Sequence, residues 1–253
     1  MKSIQKNFLY NVLYQILLVI LPLITAPYIS RTLGATSVGV YSYTYSVAYY
    51  FLMIAMLGIG NHGNRSIAAV RDDREKLNKT FSSIYLLQIT TFSIAIFAYI
   101  IYYIVFVKDN RLIVLLQLIY VTSGLFDIGW LFFGLEQFKL TVTRNTLIKI
   151  STVLLMFVFV HKPTDLWKYT LIMASGTLLS QAYLWVYVKK YVTFVKCNFI
   201  EIFSNIKPVL ILFIPVLAYS IYKVMDKIML GNMSTYEQAV SYTHLTLPTN
   251  SLV

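Results

Sequence analysis

Long uncharged runs alternate with short charged stretches along the chain. Residues 7–30 carry no charge, and residues 32–64 are a second uncharged run. Further apolar runs cover 80–107, 112–135 (interrupted by Asp127), 146–160 (charged only at Lys149), 169–188 and 208–222, the last carried to residue 230 by a charged turn. A helix needs about 20 mostly apolar residues to cross a bilayer. The pattern therefore predicts seven transmembrane helices. The runs are continuous rather than alternating with period two, which excludes the strands of a membrane barrel. The expected fold class is an all-α, polytopic membrane protein.

Composition agrees. Hydrophobic residues make up 58% and charged residues 12% of the 253, where a soluble domain carries roughly 25% charged residues. Mean hydropathy is +0.69. These values exclude a soluble enzyme, a disordered chain and a secreted disulfide scaffold. The formal charge of +11 is read as cationic loops that set topology, with no nucleic acid as partner. Cys197 is the single cysteine; it is expected to stay reduced in a cytoplasmic loop. The first apolar run is too long for a cleaved signal and reads as a first span that also targets the chain.

The loops suggest an orientation. With the N-terminus in the cytoplasm, 14 of the Lys and Arg residues fall on the cytoplasmic side and 7 on the other, as the positive-inside rule requires. The first and seventh spans share a pattern. Pro22 and Pro27 precede Arg31 and Leu33-Gly34; Pro208 and Pro215 precede Asp226-Lys227 and Leu230-Gly231. Read as a repeat, this places six helices in each copy and makes the copies parallel, with a substrate route between them. Read plainly, it reflects how common prolines are in membrane helices. The expected organisation is a six-helix lobe over 1–207, the seventh helix opening a second lobe over 208–240, and a tail over 241–253. That tail is polar and Thr-rich and is expected to be non-native.

Several residues are candidates for function. Pro22, Pro27 and Pro215 are expected to break their helices; freed backbone groups are tolerated at membrane depth only beside protein or a wet cavity. Asp127 lies within an apolar span, where a carboxylate costs about 2.5–3.5 kcal/mol to insert. On an unbroken helix Trp130 and Gly134 would share its face. Two readings stay open for Asp127: ion coupling or substrate contact, and a hydrogen-bonded acid in a helix contact. Arg31 and Arg65 end the first two spans on opposite sides, as phosphate ligands or as topology anchors. Arg144 and Lys149 open the fifth span, either to catch an anionic headgroup or as plain positive-inside charge. Lys223 and Asp226 are i, i+3 neighbours, leaving Lys227 unpaired. No metal-binding or nucleotide-binding motif and no catalytic constellation occurs, so neither a cofactor nor an enzyme activity is expected.

The segments Pro27-Tyr28-Ile29-Ser30-Arg31-Thr32-Leu33-Gly34, Leu57-Gly58-Ile59 with Gly63-Asn64-Arg65, Arg144-Asn145 with Lys149, and above all Asp127-Ile128-Gly129-Trp130-Leu131-Phe132-Phe133-Gly134-Leu135-Glu136-Gln137-Phe138 resemble the polysaccharide biosynthesis / O-antigen flippase family. The resemblance covers essentially residues 1–239. It implies a two-lobed carrier in the cytoplasmic membrane that moves an undecaprenyl-diphosphate-linked oligosaccharide to the outer leaflet by alternating access. It also implies H+ or Na+ as coupling ion and contacts with membrane lipids and a polysaccharide polymerase. On that expectation Arg31, Arg65, Arg144, Lys149 and Lys227 contact the headgroup, while Asp127 and Asp226 couple or gate. The alternative on the same fold is a small-molecule or multidrug exporter. A membrane polymerase or glycosyltransferase is a third class; it needs a large loop with paired carboxylates or histidines, which the chain does not show.

Overall fold

The computed structural model describes the backbone of residues 2–233, and side chains from residue 19 to 221 together with Met229. The described residues are helical throughout, with no strand. They form α1 (Lys2–Met56), α2 (Ile59–Val70), α3 (Arg74–Val105), α4 (Arg111–Ser123), α5 (Gly129–Gly134), α6 (Phe138–Phe159), α7 (Leu166–Tyr191), α8 (Phe199–Phe203) and α9 (Ile206–Met233). Six helical stretches are long and apolar enough to cross a membrane.

The expected count of seven is recovered inside the first stretch, Val19–Val70. At 1.5 Å per residue the 55 residues of α1 would extend about 80 Å, well over twice a hydrocarbon core of about 30 Å. Gly34 divides them, with φ 78° and ψ 163°. That conformation is essentially reserved for glycine, so the chain turns there and each arm has membrane length. The breaks expected at Pro22 and Pro27 are therefore corrected: the helix runs through both prolines, which are exposed. Each costs the helix one hydrogen bond without ending it. Pro215 likewise lies inside α9.

The long helices run antiparallel, so their turns gather at two ends. At the end carrying Arg65, Arg71 pairs with Glu136, the Thr193 amide donates to Asn78 Oδ1 at 2.9 Å, and Ile67, Phe81, Trp130 and Leu184 share one apolar cluster. At the end carrying Arg31, the Tyr28 hydroxyl donates to the Val160 carbonyl at 2.7 Å. Ile29, Leu33, Ile113 and Leu166 pack there in a second cluster. The outward faces of α3, α6 and α7 expose Ile94, Phe97, Leu154, Val158, Leu179 and Val186, as a lipid-facing surface should. α9 lies against α1 and α2. A Cβ at Gly58 would strike the Val209 carbonyl oxygen, and the His62 ring shares a 2.8 Å hydrogen bond with Asn205 Oδ1. Residues 241–253 lie outside the described residues.

Candidate functional site

The predicted span 112–135 is not one helix. α4 ends at Ser123, a single 3-10 turn covers Gly124–Phe126, and Asp127 is extended at φ −75°, ψ 97° before α5 begins. The face that an unbroken helix would have given Asp127, Trp130 and Gly134 is therefore not formed. The break is sealed by side chains from other helices. Gln88 of α3, fully buried, donates from Nε2 to the carbonyls of Gly124 (2.8 Å) and Asp127 (2.9 Å). Its Oε1 accepts from Trp130 Nε1 at 3.0 Å. Trp185 Nε1 of α7 donates to the Phe126 carbonyl at 3.0 Å. Backbone groups freed at membrane depth persist only when protein satisfies them in this way. Asp127 Oδ1 accepts from the Gly129 amide at 2.9 Å, so its carboxylate starts α5. The side chain is half-buried.

Glycines let α5 reach α2. An added Cβ at Gly63 would sit 2.6 Å from the Trp130 ring, and one at Gly134 would sit 2.7 Å from Ile67. The glycine-rich stretch 58–63 is thus a packing surface on a membrane helix.

Arg144 and Lys149 do not flank their span. α6 begins at Phe138, eight residues before the predicted run, and both cations lie inside the helix. Arg144 is 6% exposed. Its guanidinium donates to the Ser180 carbonyl (3.0 Å) and Gln181 Oε1 (3.1 Å) on α7, and to Asn145 Oδ1 (2.7 and 3.1 Å). Beside it, between α6 and α7, lies a crevice of about 280 Å³ with a mixed lining: the polar side chains of Asn145, Lys149, Thr152, Thr177, Ser180 and Gln181 together with Ile148, Met173 and Gly176. Lys149 sits at its exposed edge, about 16 Å along α6 from its first residue. Thr152 and Gly176 press the two helices together there, since a Cβ at Gly176 would strike the Thr152 methyl.

A column of tyrosines adds to this interior. Tyr41, Tyr45 and Tyr49 follow one another at i, i+4 spacing on α1. Tyr45 meets Tyr120 of α4, ring to ring at 4.9 Å and hydroxyl to hydroxyl at 3.2 Å. Tyr41 meets Tyr169 of α7 edge-on at 4.7 Å. All five rings are half-buried.

The structure thus sets Arg144 and Lys149 beside one crevice, holds Asp127 at the break before α5, and leaves Arg31 and Arg65 exposed at opposite ends. Asp226 and Lys227 belong to α9, but their side chains lie outside the described residues. Sequence reasoning missed Gln88, Gln181 and the tyrosine column, and noted Asn145 only as part of a segment with Arg144. An amide deep in an apolar run and tyrosines four apart were the available signals. Among the described residues no cluster of His, Cys, Asp and Glu fits a metal ion.

A bundle with six helical stretches long and apolar enough to cross a membrane has the construction of a multi-pass membrane protein. The chain belongs to the family described as "Polysaccharide biosynthesis protein", which matches residues 4–248. It is 25% identical over 181 residues to a protein of Escherichia coli (strain K12) and 26% identical over 215 residues to one of Shigella dysenteriae, both named "Putative O-antigen transporter". Those alignments cover 70% and 83% of this chain, and 43% and 54% of the relatives. The chain therefore spans about half the length of the curated relatives it matches. No solved structure matches it significantly.

Proposed function

We propose that the protein to which this chain belongs flips an undecaprenyl-diphosphate-linked oligosaccharide from the inner to the outer leaflet of the cytoplasmic membrane, by alternating access between two lobes. The N-terminus and the Arg65 end face the cytoplasm in this reading, and the chain supplies the first lobe and the beginning of the second. The observation that carries it is Arg144: a buried guanidinium, charged at every physiological pH, whose donors reach Ser180 and Gln181 in the wall of a crevice. A diphosphate cannot enter hydrocarbon without such compensation. Lys149 adds a second positive charge at the rim. The half-buried tyrosines add ring faces and hydroxyls suited to sugars. Asp127, at the break between α4 and α5, is the acid assigned to coupling or gating in this reading. Arg31 and Arg65, exposed at the two mouths, are suited to first capture and release; Lys227 and Asp226 extend the same chemistry into the second lobe.

The test measures outer-leaflet exposure of lipid-linked oligosaccharide in cells carrying the full-length gene. Arg144→Gln and Lys149→Gln at normal protein levels are expected to cut exposure about tenfold or more, and Asp127→Asn to alter its dependence on the proton or sodium gradient. Wild-type exposure in all three variants overturns the assignment. Drug resistance without a glycan phenotype points instead to a small-molecule exporter on the same fold.

A further inference from the structure

The segment between α7 and α9 holds the two most exposed large apolar side chains among the described residues, Ile200 at 83% and Phe199 at 79%. Phe194, Val195 and Phe203 on the same segment are also exposed. They do not lie on the lipid-facing flanks of the long helices. They lie at the Arg65 end, among the exposed lysines Lys189, Lys190, Lys196 and Lys207.

The other side of the segment is tied to the bundle. The Thr193 amide donates to Asn78 Oδ1 (2.9 Å) and the Val195 amide to Ser82 Oγ (3.0 Å). Glu201 pairs with Lys79 at 2.7 Å, and Asn205 Nδ2 donates to Ser83 Oγ at 3.4 Å. The Phe194 ring packs on Phe81 at 5.3 Å and on Tyr85 at 5.8 Å. All these anchors fall between residues 78 and 85 of α3, within about 17 Å of its first residue. The segment therefore lies along the flank of the bundle beside the first three turns of α3, with its polar groups and the Phe194 ring against the bundle and Phe199, Ile200 and Phe203 exposed.

We infer that residues 194–203 are a membrane-interface anchor: Phe199, Ile200 and Phe203 enter the headgroup–acyl boundary of the leaflet at the Arg65 end, and Lys189, Lys190, Lys196 and Lys207 hold anionic phospholipid headgroups around them. An apolar face flanked by lysines is the pattern of an interfacial segment. The partner is the surface of an anionic bilayer. The consequence is mechanical. The anchor joins the last helix of the first lobe to α9, so it fixes the level at which α9 enters the membrane. The inference stands on geometry and charge and does not depend on which molecule is carried.

Cys197 lies inside the segment and is the only cysteine in the chain, so it takes a fluorophore without any substitution. The labelled protein is reconstituted into vesicles of phosphatidylcholine, with and without phosphatidylglycerol. Quenching is measured with a shallow lipid-borne spin label and with aqueous iodide. The expected result is strong lipid quenching and weak iodide quenching. Lipid quenching should fall about twofold or more in Phe199→Ser/Ile200→Ser/Phe203→Ser. It should be about twofold higher with phosphatidylglycerol than without, and this difference should disappear in Lys196→Gln/Lys207→Gln. A label quenched freely by iodide and untouched by the lipid quencher in both vesicle types overturns the anchor, whether the face meets water or a protein. Equal lipid quenching in the two vesicle types overturns the role of the lysines.

Discussion

Gln88 and Trp130 close the break in the fourth span between them: Trp130 Nε1 donates to Gln88 Oε1 at 3.0 Å, while Gln88 Nε2 holds the carbonyls of Gly124 and Asp127. One buried amide thus uses its donors and its acceptor on the stretch from Gly124 to Trp130. Gln88→Leu removes all three bonds at nearly constant volume. It leaves the Asp127 carbonyl and the Trp130 indole N–H without these partners, while the Gly124 carbonyl keeps the Asp127 amide at 3.1 Å, at a cost of about 2–4 kcal/mol. Unfolding in detergent micelles should show that loss, and Trp130 emission should shift in the folded variant. Wild-type stability in Gln88→Leu would mean that water or a neighbouring helix seals the break instead.

The approach of α2 to α5 depends on hydrogen at Cα. Gly63→Ala places a methyl 2.6 Å from the Trp130 ring, which should destabilise by about 1–3 kcal/mol. Gly60→Ala on the same helix meets nothing nearer than Met56 Cε at 3.8 Å. It should be neutral or stabilise by up to about 1 kcal/mol, because alanine restricts the unfolded chain and favours helix. The same unfolding measurement compares the two, and equal effects would contradict the packing described.

Gly34 tests a different physical effect. No atom lies within 4 Å of the site where its Cβ would stand, so Gly34→Ala costs only backbone strain, about 1–3 kcal/mol. Gly34→Asn should fare no better. Asparagine tolerates the left-handed helical region, but ψ here is 163°, outside it. Full stability of either variant, read by the same unfolding assay, would show that the two arms of α1 do not need this conformation.

Asp73 caps α3, accepting from the Lys76 amide at 3.1 Å. That backbone hydrogen bond, helped by the Lys76 ammonium, holds its carboxyl below the usual Asp range. The folded value is depressed, so the cap contributes stability above the unfolded pKa and loses it as pH falls through the folded one. The Lys76 amide resonance should therefore titrate with a midpoint below about 3.9, and Asp73→Asn should abolish that titration. A midpoint at or above the ordinary value would show that the cap is not formed in solution.

Much of the architecture was legible without coordinates. Apolar runs of membrane length, continuous rather than alternating, dictate crossing helices, because a bilayer accepts no other backbone from such a sequence. Arg31 and Arg65 were placed at opposite ends by counting spans alone. The candidate site was legible in part. Arg144 and Lys149 stand out by their charge, but the apolar run begins only at residue 146 and so suggests the mouth of a span for both. The neighbouring polar residues 143–146 interrupt apolar periodicity, and only packing against Ser180 and Gln181 shows that α6 continues through them and buries Arg144.

What the sequence by itself determined is the solvent each segment requires, since hydropathy over about 20 residues outweighs any single contact. Only the tertiary structure decided where the helices break and which polar groups meet. Local pattern puts breaks at Pro22, Pro27 and nowhere near Asp127. The fold puts them at Gly34 and at 124–128 instead, because Gln88 and Trp185, distant in the chain, supply the hydrogen bonds that make a broken helix stable inside a membrane.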